Sequence, residues 1–403
     1  MLRLALARRG VVRSWAVHAV HHRPGAGVSI GYTVLLDLDE GGVRQRRDIY
    51  VLASTARFRA EEVASDDVIA LRLGPTHVHI WEHPGDPALP TLKIACDPEQ
   101  LAGIVGEPVD VELLGYRPTR RAVVRLDFPD GRKQFGKVVR PSAAADLIRR
   151  HEMLTAGGVP CPAITAVDER GFVLTEGLAG LPLIKRYIAD YEPLLAGKIL
   201  VDLGRVLDAI PLSVMTMPAR PAWSDRCEHY AAAAATALPD EQARCQAVAR
   251  AIRELRENSD SGPLVPTHGD FYEANVMVSD DGAVTGILDL DSIGPGYRVD
   301  DWGCLLGHLS VLPERESTRG FVEDWWDRLG VEVDPIRLAS SAAGVVLSLV
   351  AGAGRSRRKN WRLEADRRLR VAEAWIERGR AAAAGEPGPS EAGWGHAASS
   401  RRG

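Results

Sequence analysis

Hydrophobic residues alternate with polar ones in two stretches of the first part of the chain; further on they recur at helical spacing. His22-Arg23-Pro24-Gly25 runs into GVSIGYTVLLDLDEGG and then DIYVL, and Tyr116-Arg117-Pro118-Thr119 runs into AVVRLDFPDG and then FGKVV. A period of two, broken by turn residues such as Pro129-Asp130-Gly131, predicts antiparallel strands over residues 17–52 and 110–139. The stretches read either as divergent copies of one pattern or as sheets alike by chance. Aligned as copies, Val51 stands in the first where Lys137 stands in the second. Apolar spacing predicts a helix from Ala143 to Ala156, a short strand from Phe172 to Leu174, and mostly helix from about residue 181. Strands first and helices later imply an α+β chain with a small sheet-containing lobe before a larger helical one. The expected domains are an N-terminal cap (1–105), the sheet lobe (106–178) and the helical lobe (179–380). Residues 381–403 have no periodicity and read as a disordered tail.

Composition narrows the partners. With 403 residues, 45% of them hydrophobic and 26% charged, the chain is an ordinary globular one. A net charge of -4 supplies no basic field for nucleic acid or an anionic membrane. The five cysteines are scattered without a CxxC pair, which argues against a zinc site and fits a reducing cytoplasm. The apolar stretches around Arg3, Arg8 and Arg9 are too short for a signal peptide, so the N-terminus should form a first strand or helix. The run AAGVVLSLVAGAG from Ala342 to Gly354 falls short of the roughly 20 residues a membrane span needs and predicts a buried helix.

Chemistry concentrates in Thr267-His268-Gly269-Asp270-Phe271-Tyr272-Glu273-Ala274-Asn275, followed by Gly286-Ile287-Leu288-Asp289-Leu290-Asp291. The chain has only three Asn, and one of them falls five residues after an Asp that follows His-Gly. Phosphoryl transfer needs a carboxylate to orient and deprotonate a hydroxyl, and oxygen ligands to hold Mg²⁺ against phosphate. Asp270 suits the first role, Asn275 and Asp289 the second. Val276-Met277-Val278 and Val284 to Leu288, around Asp280-Asp281-Gly282, predict a hairpin that brings Asn275 and Asp289 together at its open end. Asp291 is a rival ligand, since alternation along a strand would put it on the face of Asp289. His268 reads as a hydrogen-bonded brace rather than a proton-transfer group.

This pattern resembles the aminoglycoside phosphotransferase and choline kinase family, which shares the bilobal protein-kinase-like fold. The resemblance spans roughly residues 110–378 and implies that Asp270 is catalytic, that Asn275 and Asp289 bind metal, and that Asp301 in Asp301-Trp302-Gly303 braces the loop. It implies ATP and Mg²⁺, with two ions, as cofactors, and favours Asp289 over Asp291. An extra N-terminal domain is also reminiscent of maltokinase-like sugar kinases.

Lys137 is one of six Lys in a chain whose usual cation is Arg, and it lies inside an apolar strand. A kinase holds such a lysine on the phosphates with a helix carboxylate. Glu152 answers, expected to share the sheet-packed face of its helix with Ile148 and Thr155, with Asp146 opposite. The segment Phe172 to Leu178 matches the hinge whose backbone binds adenine, with Glu176 and Leu178 the candidates by position. Arg117 to Arg121 stands where kinases place a Gly-rich loop, but glycine is missing; Arg120 or Arg121 then contacts phosphate, or both are solvated.

For the acceptor, Glu323, Asp324 and Asp327 are the nearest approach to an acidic surface. Trp325, Trp326 and Trp361 are candidates to stack on a sugar or to fill the core. The run Arg355 to Lys359 is expected to face solvent. The reading is an ATP-dependent phosphotransferase acting on a hydroxyl of a sugar or aminoglycoside-like compound. The alternatives are a natural-product, amino-alcohol or peptide-side-chain kinase and, from another class, a pseudokinase scaffold.

Overall fold

The first fourteen-residue alternating stretch forms strand β1 (Gly10–Arg23), entered from a short helix at Leu2–Ala5. The computed structural model describes residues 1–23, 25–40, 43–187, 191–313, 316–356 and 360–386. Residues 357–359 of the basic run and 387–403 of the expected tail lie outside these. The chain folds as two compact units, Met1–Ile148 with Ala163–Gly177, and Arg149–Pro162 with the residues from Leu178 on. The first is rich in strand and the second in helix, the α+β division expected.

The first unit holds two five-stranded sheets. One contains β1, β2 (Gly27–Glu40), β3 (Val43–Ser54), β4 (Ile69–Leu73) and β5 (Thr76–Glu82) in the order β1-β2-β3-β5-β4. The other contains β6 (Asp110–Arg117), β7 (Arg121–Asp127), β8 (Lys133–Val139), β9 (Ile164–Asp168) and β10 (Phe172–Glu176) in the order β6-β7-β8-β10-β9. The two orders are the same, as a duplicated unit would give. The sheets differ after their third strand, where the first has only the 3-10 turn Glu61–Val63 and the second has the helix Pro141–Ala156. Val51 is fully buried in the core of the first sheet, beside Val34, Leu36, Ile49 and Ile80. Val138, Val124, Leu126, Phe172 and Leu174 form the core of the second, under Leu89, Leu92 and Leu101. Gly136 is required there, since a Cβ would meet the Phe172 ring at 2.6 Å.

The second unit is built on long amphipathic helices. Pro193–Asp208 starts at Glu192, whose carboxylate accepts from Leu195 N, and Pro335–Val350 starts at Asp334, which accepts from Ile336 N and Arg337 N; both carry proline in the first turn. The run from Ala342 forms the end of the latter helix and continues into the 3-10 segment Ala351–Ser356. Pro335–Ala353 is long and apolar enough by composition to cross a membrane, but 72% of it is buried among its neighbours, as expected of a core helix. The last helix, Trp361–Ala384, outruns the expected end near residue 380. The Ala381–Ala384 run has no amphipathic period but the highest helix propensity, and Gly385 in the left-handed conformation stops it.

Candidate active site

Two short antiparallel pairs frame the loop at Asp270. β11 (Leu264–Thr267) pairs with β14 (Gly294–Tyr297), and β12 (Val276–Val278) pairs with β13 (Val284–Ile287). The register Val276↔Ile287 and a hydrogen bond from Leu288 N to Asn275 O of 2.8 Å make Asn275 and Asp289 neighbours at the open end of the hairpin, as its sequence predicts. Asn275 also donates from Nδ2 to Asp270 O at 3.0 Å, so its Oδ1 is the atom that could ligate a metal ion. Asp289 occupies the left-handed region (φ 57, ψ 58), a strained conformation for a residue with a side chain. Residues 290–292 form a 3-10 turn rather than a strand. The alternation that made Asp291 a rival ligand therefore does not apply.

The bracing residues are buried beneath the loop. The His268 ring is fully buried, with Nε2 2.9 Å from Leu288 O and Nδ1 accepting from Asp270 N at 3.3 Å. That pattern assigns the proton to Nε2 and ties the loop to the residue before Asp289. Asp301, 1% exposed, accepts from His268 N at 3.0 Å and Gly269 N at 2.8 Å. Burial raises its pKa, opposed by Arg298 and the two backbone N–H groups. Gly269 has φ +75, and a Cβ there would meet Ser292 O at 2.7 Å. Tyr272 stacks on His308 with centroids 4.1 Å apart. Burial lowers the His308 pKa to about 3, helped by Arg368.

Two charged residues here were not singled out from the sequence. Arg220 Nη1 lies 3.7 Å from Asp270 Oδ2, donates to Ser292 Oγ, and the guanidinium covers the Trp223 ring at 4.6 Å. Its one sequence signal is the three-residue spacing to a tryptophan. Glu273 is 3% exposed with no partner for Oε2, and burial pushes its pKa up to about 7. It occupies a variable position inside the motif, where the pattern gives no reason to weigh it.

In the first unit, Lys137 pairs with Val123 and Val173 and alternates away from Val138, onto the face of Val139 and Val173. The helix Pro141–Ala156 buries Ala144, Leu147, Arg150, His151 and Leu154; Ile148 packs beside them as expected, but Glu152 and Thr155 are exposed, so the expected packed face through all three is corrected. Two polar residues sit in the buried stripe because each has a backbone acceptor, Arg150 Nε on Ile293 O at 2.7 Å and the His151 ring on Pro162 O at 3.2 Å. Glu176 and Leu178 flank the point where the first unit passes to the second, between Gly177 and Leu178. Glu176 N donates to Ala163 O and Gly177 N to Lys133 O.

The turn from Arg117 to Arg121 carries Thr119 at φ 63, where glycine would be expected. Asp86, 2% exposed, holds it: Thr119 N and the Tyr116 hydroxyl both donate to Asp86 Oδ2 at 2.7 Å, and Ala88 N donates to Oδ1 at 2.9 Å. Arg140 Nε donates to Thr119 O at 2.7 Å, and Arg120 N to Arg117 O. Trp325 is fully buried and donates to Ala196 O, and Trp326 packs on Trp375, so both are core residues. Glu323 is paired with Arg378 and Asp324 with Arg328.

No curated protein matches the chain. Among solved structures, it is similar to a thermostable mutant of aminoglycoside phosphotransferase APH(4)-Ia in apo form (16% identity, 70% of this chain and 99% of that one, TM-score 0.49). It is similar to an aminoglycoside-3'-phosphotransferase of type VIII (21%, 62% and 97%, 0.42) and to a Plasmodium vivax ethanolamine kinase (13%, 66% and 82%, 0.44). The model of the phosphotransferase enzyme family matches residues 113–338, from β6 through the loop at Asp270 into the helix that begins at Pro335. With more than half of its length in that match, the chain belongs to the phosphotransferase enzyme family.

Proposed function

We propose that this phosphotransferase moves the γ-phosphoryl group of ATP to a hydroxyl of a small molecule, with Mg²⁺. The observation that carries the reading is the junction at Asn275, whose amide holds the Asp270 carbonyl while its backbone pairs beside Asp289. A base and two oxygen donors for a cation are thereby tied together through one residue. Among the described residues no cluster of three or more His, Cys, Asp or Glu could hold a metal. A cation at Asn275 and Asp289 therefore takes its other ligands from phosphate and water, as Mg²⁺ does in such sites. Lys137 supplies charge to the phosphates. Glu176 and Leu178 offer backbone to the base, and Arg120 or Arg121 meets phosphate beyond the closed turn. The five cysteines are free, which fits the cytoplasm.

For the acceptor we favour a sugar over a polycationic aminoglycoside. The charge beside Asp270 is the guanidinium of Arg220, and Glu323 and Asp324 are already neutralised by arginines. A polycation finds repulsion where it needs carboxylates. The test is ADP release from MgATP across sugars, amino alcohols and aminoglycosides, with Asp270→Ala as baseline. A sugar should raise turnover most. If no acceptor lifted the wild type above Asp270→Ala, catalysis would be abandoned, and preference for a polycation would overturn the acceptor assignment.

A further inference from the structure

We propose that Arg220 is a further catalytic residue, whose guanidinium binds the γ-phosphoryl group as it passes to the acceptor; this rests on phosphoryl transfer at Asp270. Arg220 lies in the connection between the 3-10 turns Leu212–Thr216 and Ser224–Arg226, remote in sequence from the loop it touches. It is held from three sides, by the Trp223 ring, by Ser292 Oγ and by the carboxylate of Asp270. Ser292 closes the turn that begins after Asp289, so the guanidinium is fixed to both halves of the candidate chemistry.

An arginine here has a cost for general-base catalysis. A cation stabilises the carboxylate form of Asp270 and weakens its pull on a proton. The placement makes chemical sense when the cation serves a second negative group at the same point. When Asp270 orients a hydroxyl for attack, the incoming γ-phosphoryl brings more negative charge against the carboxylate. In the transfer itself the acceptor O–H proton goes to Asp270, the acceptor oxygen bonds to Pγ, and the Pγ–O bond to ADP breaks with its electron pair left on ADP. Charge is then spread over the three equatorial phosphoryl oxygens. The Arg220 guanidinium has five N–H donors, of which the Ser292 hydrogen bond uses one. Its side chain is 31% exposed, so part of that fork is open.

The turn at Arg117–Arg121 sharpens the demand for such a cation. A Gly-rich loop offers free backbone N–H groups to phosphate, whereas here Thr119 N is bonded to Asp86 and Arg120 N to Arg117 O. Backbone donors of the usual kind are already engaged, and a preorganised guanidinium can replace them in the transition state.

The full-length protein tests this with Arg220→Met, which keeps the stem on Trp223, and Arg220→Ala for chemical rescue. ADP release is measured with and without acceptor, and binding of AMP-PNP is compared with binding of ADP plus aluminium fluoride, a mimic of the transferring phosphoryl. Arg220→Met should lose roughly 10²–10³-fold in kcat in both assays. It should bind AMP-PNP like the wild type and lose affinity for the aluminium fluoride complex, and guanidinium ions should restore part of the Arg220→Ala rate. A raised acceptor KM with unchanged kcat would make Arg220 an acceptor anchor and overturn the proposal. A lost rate with aluminium fluoride binding intact and no rescue would make it structural and overturn it equally. A wild type no faster than Asp270→Ala would bring down phosphoryl transfer itself, and this inference with it.

Discussion

Replacing His308 with phenylalanine should remove most of an acid-labile part of the stability and leave the aromatic floor under Tyr272 in place. The ring is half-buried, lies 4.1 Å from the Tyr272 ring, and has its pKa lowered from the ordinary 6.5 to about 3 by desolvation and by Arg368. Between these two values the unfolded chain holds a proton on His308 that the fold does not. Stability therefore rises with pH through that window and falls as pH drops from about 6.5 toward 3. A tenfold change in proton affinity is worth about 1.4 kcal/mol, so the whole window is worth about 5 kcal/mol, and about 3 kcal/mol of it is gone by about pH 4. The fold's margin is typically about 5–15 kcal/mol, so a loss of this size is readily measured.

The assay is urea unfolding of wild type and His308→Phe at pH 7, 6, 5 and 4. Other groups titrate in this range, so the quantity to follow is the difference between the two proteins. Relative to its own value at pH 7, the wild type should lose about 3 kcal/mol more than His308→Phe by about pH 4. A constant offset from altered packing is immaterial. Parallel curves would refute the reasoning, because they would mean that His308 accepts a proton in the fold as readily as in the unfolded chain.

Asp86→Ala should destabilise by about 2–4 kcal/mol, since it strands the Tyr116 hydroxyl and the buried Thr119 N–H, and should raise the KM for ATP; calorimetry and initial rates check both. Gly269→Ala should be inactive and less stable by at least about 1–2 kcal/mol, because a Cβ at φ +75 collides with Ser292 O; thermal unfolding with ADP-release assays tests it. Lys137→Ala should weaken ATP binding or its alignment while leaving the fold intact, and unchanged ATP affinity and rate would remove Lys137 from the nucleotide site.

What the sequence disclosed follows from the range of the interactions involved. Asp270 and Asn275 are joined by a side chain spanning five residues, and Asn275 and Asp289 by a hairpin with its own turn signal at Asp280-Asp281-Gly282; both are local enough to leave a pattern. Strands and helices were legible for the same reason. The face of the helix at Glu152 was not, because Arg150 and His151 are buried on acceptors, Ile293 O and Pro162 O, that no periodicity reveals. Thr119 was legible only as a missing glycine; the buried carboxylate that holds its turn comes from the N-terminal part of the chain.

The hydrogen bonds to Asp86 give the doubled sheet a physical meaning. A Gly-rich loop obtains its conformation cheaply because glycine accepts positive φ, but it remains mobile until phosphate arrives. With threonine at φ 63 the turn is strained, and strain of this kind persists only where surrounding structure over-determines it. Asp86, placed by the chain leaving the first sheet, supplies that determination, and the Trp81 indole N–H, 3.4 Å from the Tyr116 hydroxyl, extends it back into β5. The first sheet lacks the lysine and the long helix of the second, so it has no phosphate chemistry of its own to lose. Its contribution is to fix in the fold a turn that a glycine-rich sequence would leave free. On the proposed chemistry, charge stabilisation then falls to side chains, and Arg220 is held against Asp270.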